Sequence, residues 1–119
     1  MAIKVTGSDI GDVTVVKVSG SVSFGGGDSK ELYDGVLHQL QRGRKKIVLD
    51  MSEATYLDSS GLGYIVASYT QTKNSGGELV MANPTGKIRE LMHNTTKLDR
   101  VVTVKDSVEK AVSALEHSS

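Results

Sequence analysis

The segment KKIVLDM, residues 45–51, sets Ile47, Val48 and Leu49 side by side with no polar residue between them. Side chains alternate across a strand, so an uninterrupted apolar run of this length suits a strand buried on both faces. The flanking sequence supplies the cover. Stripes of helical period alternate with short β-branched runs along the chain, and alternation of this kind implies a mostly parallel sheet with helices packed on it.

The individual elements follow from local signals. Ile3 to Gly7 and Val13 to Ser19 are β-branched runs separated by polar SDIGD, which predicts an antiparallel hairpin at the N-terminus. SFGGGD, Ser23 to Asp28, reads as a loop, because three successive glycines belong inside no element. Asp28 with Glu31 resembles a capping box that starts a helix. Its stripe is Leu32, Val36 and Leu40, with Tyr33 and Leu37 alongside, and Gly43 stops it. After the apolar strand, SSGLGYIVASYTQTKN predicts a helix whose buried face is Leu62, Ile65, Val66 and Tyr69. NSGG ends it. ELVMAN is the next strand, GKIRELMHN a short helix with Ile88, Leu91 and Met92 inward, and VVTV the last strand. Asp106 and Glu109 repeat the capping box ahead of Val108, Ala111, Val112 and Leu115. The expectation is an α/β fold with a mixed, mostly parallel sheet of about five strands and about four helices. At 119 residues the chain fits one domain, 1–119, and is too short for two ordinary cores.

Charge and composition remove several function classes. Lys plus Arg number 14 and Asp plus Glu number 14, so nothing advertises nucleic acid or an acidic membrane surface. Arg42, Arg44, Lys45 and Lys46 form the nearest thing to a basic run and read as a solvated connection. With no cysteine, a thiolate zinc site and a catalytic thiol are both out. His38, His93 and His117 lack metal-ligand spacing and read as surface residues. The N-terminus lacks an apolar run of signal-peptide length and no stretch approaches a membrane span, so the expected place is the cytoplasm, with no membrane and no direct nucleic acid. Enzyme motifs fail on inspection. GLGYIV has Val66 where a dinucleotide fingerprint needs its third glycine. NPTGKI has Met81 at the first glycine of a P-loop and Ile88 at its Ser/Thr. Leu57 and Leu62 flank the serine pair where a nucleophile elbow needs glycines. No catalytic residue, cofactor or metal is expected.

What remains is DSSGLG, residues 58–63. Asp58 or Ser59 can cap the following helix, worth about 1 kcal/mol. Gly61 and Gly63 sit in its first turns, where each costs up to about 1 kcal/mol relative to alanine. Two such costs cancel the cap, so the glycines point to a surface that something approaches closely. Ser59, Gly63 and Ala67 are spaced four apart and make one small-residue side. A serine hydroxyl at the end of such a groove is a natural control point, because phosphate adds about −1.5 to −2 charges that a docked partner would have to bury.

KKIVLDMSEATYLDSSGLGYIVASYTQTKNSGGELVMAN closely resembles the core of the STAS domain, and within it the bacterial anti-sigma factor antagonists. The resemblance runs from the first hairpin to the last helix, and its most specific piece is Asp50 followed at family spacing by Asp58-Ser59-Ser60-Gly61-Leu62-Gly63. It implies that Ser59 is phosphorylated by an anti-sigma factor that is also a serine kinase. It further implies that the unphosphorylated form binds that factor and frees the sigma factor, and that a PP2C-type phosphatase restores it. Asp58, Ser60, Gly61, Gly63, Ala67 and Ser23 are then the expected partner-binding residues. In one stretch the chain departs from the family: GSVS, Gly20 to Ser23, carries serines where the family usually has two acids. That departure keeps a second expectation open, a STAS scaffold or assembly subunit, in a lipid-transport or stress-sensing complex, that no kinase regulates.

Overall fold

The structure is a computed structural model that describes residues 3–22 and 30–116. Strands β1 (Lys4–Ile10), β2 (Val13–Val22), β3 (Lys46–Leu57), β4 (Glu78–Ala82) and β5 (Thr103–Lys105) form one sheet in sequence order. The pair β1/β2 is antiparallel, and β2/β3, β3/β4 and β4/β5 are parallel, as the alternation of elements requires. Helices α1 (Lys30–Gln41), α2 (Ser59–Asn74), α3 (Gly86–Glu90) and α4 (Val108–Glu116) connect and cover it.

Two apolar layers hold the sheet between them. Ile47, Leu49 and Met51 of β3 join Val16, Val18, Leu32, Val36, Ile65, Leu79, Met81 and Ile88 in a core beneath α1, α2 and α3. On the other face Val48 packs with Val13, Val15, Val80, Ala111, Val112 and Leu115 beneath α4. The apolar run of β3 is thus buried from both sides, and the stripe read for the last helix is the one that packs.

Several local expectations change. The hairpin strands run further than their β-branched cores, to a turn at Gly11 and Asp12 where Gly11 takes φ +62°. Thr14 and Arg42 bond Asp9 there, and with Arg44 close by they hold its carboxyl below the ordinary value of 3.8. Strand β3 continues through SEATYL, well past its apolar run, by staying on β2 with register shifts between Lys17 and Ser19 and between Gly20 and Ser21. Helix α3 passes into a π-helical turn, Leu91–Thr95, with Met92 buried and the Thr96 hydroxyl donating to the Leu91 carbonyl at 2.8 Å. Ser107, not Asp106, caps α4: its Oγ accepts the Lys110 N–H at 3.1 Å, while Asp106 pairs with Arg89 at 3.1 Å. The Asp28 cap and the SFGGGD loop lie outside the described residues.

The largest change is on α2. Its buried residues are Gly61, Ile65, Ser68 and Thr72, rotated from the expected Leu62, Ile65, Val66 and Tyr69. Leu62 and Tyr69 are partly buried at the margin of the core, whereas Val66 belongs to neither apolar cluster. Two hydroxyls can face inward because each turns back onto its own helix. Ser68 donates to the Tyr64 carbonyl at 2.7 Å and Thr72 to the Ser68 carbonyl at 2.8 Å, so no polar atom is stranded. The rotation makes a measurable difference. Ile65→Ala should destabilise the fold by about 2–5 kcal/mol in urea unfolding, and Val66→Ala by less than about 1 kcal/mol.

Candidate functional site

The DSSGLG segment is the elbow between β3 and α2. Beyond Asp50, which pairs with Ala82, β4 no longer accompanies β3, and β3 runs on beside β2 alone. Asp50 itself is buried, its carboxylate accepting the Ser52 N–H at 3.0 Å. Along this two-stranded stretch Lys17 bridges to Glu53 at 2.8 Å and the Ser19 hydroxyl donates to the same carboxylate at 3.1 Å. The Lys17 hydrogen bond, then that of Ser19, lowers the Glu53 pKa, and Glu53 raises that of Lys17. Both groups are exposed, so the pair stabilises the strands little.

At its end β3 turns into α2 under a well-defined cap. Asp58 has extended backbone, φ −103° and ψ −174°, and its carbonyl accepts the first helical N–H, from Leu62, at 2.9 Å. Its Oδ1 accepts the Gly61 N–H at 3.0 Å and the Ser60 hydroxyl at 2.9 Å. Its own N–H donates to the Val22 carbonyl at 3.3 Å, which ties the elbow to the end of β2. Asp58 is therefore the N-cap, and Ser59 is the first residue of the helix. Ser59 is exposed, and among the described residues its hydroxyl has no part in the cap. No acidic residue stands in the first turn, and from Ser59 to Thr72 the helix carries no Asp, Glu, Lys or Arg. The positive end of the helix dipole thus lies beside the exposed Ser59, with the capping Asp58 as its adjoining anion.

The two glycines have different reasons. A Cβ on Gly61 would lie 2.5 Å from Leu57 Cδ1 and 2.6 Å from the Val22 carbonyl oxygen. Gly61 is buried, and its lack of a side chain lets the helix start directly against β2 and β3. That is an internal demand, not the external approach expected for both glycines. Gly63 is exposed, with nothing within 4 Å of where a Cβ would stand. Ser60 and Ala67 are half-buried. Ser59, Ser60, Gly63 and Ala67 come together on one continuous outer side of α2, while Ser23 lies outside the described residues. Tyr56, two residues ahead of Asp58, is 55% exposed and borders the same elbow. No periodicity marks it in the sequence, since an exposed tyrosine at a strand end follows no pattern.

Among the described residues, the two main depressions do not include this segment. A depression of about 690 Å³ lies elsewhere, between α3 and β5, lined by Arg89, Met92, His93, Asp99 and Val104. His93 Nδ1 stands 2.5 Å from Asp99 Oδ2 there, so this histidine is held by an acid at the surface.

Comparison with known proteins gives this geometry its context. A sequence model described as the STAS domain matches residues 5–111. A Thermotoga maritima protein with the provisional name anti-sigma factor antagonist is 33% identical over 73 residues, 61% of this chain and 64% of its own length. The crystal structure of an anti-sigma factor antagonist from Mycobacterium paratuberculosis superposes with a TM-score of 0.84 at 23% identity, covering 97% of this chain and 95% of that one. The Bacillus cell-fate determinant SpoIIAA in its phosphorylated form has a TM-score of 0.66 at 15% identity over 95% and 98% of the two chains. At such identities the structural likenesses establish the fold.

The two glycines should respond oppositely to alanine in thermal and urea unfolding. Gly61→Ala should destabilise the chain by about 1–3 kcal/mol through overpacking. Gly63→Ala should stabilise it by up to about 1 kcal/mol, because an exposed helical glycine is replaced without a clash.

Proposed function

From the premise that this chain belongs to the STAS domain family, we propose that it is an anti-sigma factor antagonist working by binding rather than catalysis. In the unphosphorylated state it engages an anti-sigma factor and so releases a sigma factor. Phosphorylation of Ser59 by the serine kinase activity of that anti-sigma factor switches it off, and a PP2C-type phosphatase resets it. The observation that carries the reading is the placement of Ser59: an exposed hydroxyl on the first residue of α2, directly after the capping Asp58, beside a charge-free helix side. A kinase can reach that hydroxyl without unfolding anything.

The docking surface in this proposal is the outer side of α2, with Asp58 and Ser60 at its end and Gly63 and Ala67 along it. Gly61 supports it from beneath, and Ser23 is assigned to it from the sequence alone. While Ser59 is unmodified, the charge a partner seated there meets is that of the capping Asp58, already bonded to the helix start. After phosphorylation it would have to desolvate about −1.5 to −2 charges. An uncompensated charge in an interface commonly costs about 2–5 kcal/mol, and each 1.4 kcal/mol is about tenfold in affinity. A chain with a folding free energy of several kcal/mol can thus be switched by a modification that leaves its core untouched.

Two measurements test this. With the cognate kinase and labelled nucleotide, Ser59→Ala should lose phosphate incorporation while Ser60→Ala keeps most of it; the reverse pattern would refute the assignment. Ser59→Asp should leave unfolding within about 0.5 kcal/mol of wild type, since an acid at the first helical position suits the dipole, yet weaken anti-sigma factor binding at least about tenfold. Wild-type affinity in that variant would favour the unregulated scaffold reading instead.

A further inference from the structure

The carboxylate that caps α2 and the hydroxyl proposed for phosphorylation belong to consecutive residues, yet only the first is engaged with the helix. Asp58 Oδ1 holds the Gly61 N–H at 3.0 Å and the Ser60 O–H at 2.9 Å. Gly61 packs so closely on Leu57 and the Val22 carbonyl that a Cβ would lie 2.5 and 2.6 Å from them, which restricts movement of this turn toward β2 and β3. The amide therefore stays where it is, and whichever anion caps the helix must come to it. Few backbone donors are open at a helix start, and a phosphate on Ser59 would enter the same small region as a dianion.

Resting on the phosphorylation reading above, we propose that phosphate on Ser59 displaces the Asp58 carboxylate from the Gly61 N–H, which makes Asp58 a positioning residue for the switch. Two causes act in one direction. The phosphate oxygens are the stronger acceptors for backbone N–H groups, and two anions on adjacent residues repel each other where solvent screens them incompletely. In the unmodified chain Asp58 completes the cap and leaves the Ser59 hydroxyl outward. In the modified chain the phosphate completes the cap and the Asp58 carboxylate turns out. Because the Asp58 N–H also donates to the Val22 carbonyl at 3.3 Å, the exchange reaches the end of β2 as well as the helix.

The test uses the full chain with phosphate placed on Ser59 by translational incorporation of phosphoserine, so that no kinase is needed. Asp58→Asn keeps a good capping residue and removes its charge. Without phosphate this variant should melt at or slightly below the wild-type temperature. With phosphate on Ser59 it should melt several degrees above the phosphorylated wild type, because the repulsion is gone. In ¹H–¹⁵N spectra of the wild-type chain, the Gly61 amide should shift strongly on phosphorylation while that of Thr72, at the far end of the helix, stays in place. The proposal is overturned if Asp58→Asn changes the melting temperature equally with and without phosphate, or if the Gly61 amide does not move. Failure of the switch itself shows separately, as a phosphorylated chain that binds the anti-sigma factor as tightly as the unmodified one.

Discussion

Strand β3 is enclosed on all sides over its first residues. Strands β2 and β4 pair with its two edges from Lys46 to Asp50, Ile47 and Leu49 are buried under α1 and α2, and Val48 is buried under α4. Successive residues of this stretch enter the two packing layers in turn, so the strand is held from both faces. Its far half does something different. Once β4 leaves, β3 continues on β2 alone to Leu57 and delivers Asp58 and Ser59 at the rim of the sheet. The exposed serine is therefore anchored, through one strand, to the part of the sheet that is paired on both edges and buried on both faces.

That anchoring explains how the elbow joins rigidity to access. Gly61 lets the first turn of α2 sit against the Val22 backbone and Leu57, and Asp58 closes the turn by bonding both Gly61 and Ser60. Between Asp58 and Ser60, Ser59 stays exposed and takes part in neither contact. A helix start built this way tolerates added negative charge, because the helix dipole favours it, whereas an uncharged partner surface does not. That asymmetry between fold and partner is the physical basis of the proposed switch, which would act on binding and leave stability nearly unchanged.

Much of this was legible in residue order. Ile47, Val48 and Leu49 announce a strand buried on both faces, and Val108, Ala111, Val112 and Leu115 announce the helix that covers one of them. Asp58 before an apolar helical stretch announces a cap. The misreadings share one cause. The stripe Leu62, Ile65, Val66 and Tyr69 has the right period, but Ser68 and Thr72 occupy the interior by bonding back to their own helix. A hydrophobicity pattern counts them as outward. Likewise Asp106 and Glu109 have capping spacing, yet the adjacent Ser107 wins the position while Asp106 is held by Arg89. Spacing identifies a set of possible caps, and the chain path selects among them.

By itself, the sequence determined the order and type of the elements, the two-faced burial of β3 and the position of Asp58-Ser59 at a helix start. These depend on periodicity and on hydrogen bonds between residues close in the chain, which are written in residue order. Only the tertiary structure decided which side of α2 turns inward, and with it the separate fates of the two glycines. Gly61 and Gly63 are equivalent to any local rule. One lies against Val22, thirty-nine positions earlier in the chain, and the other faces open space, because packing between distant segments has no counterpart in local spacing.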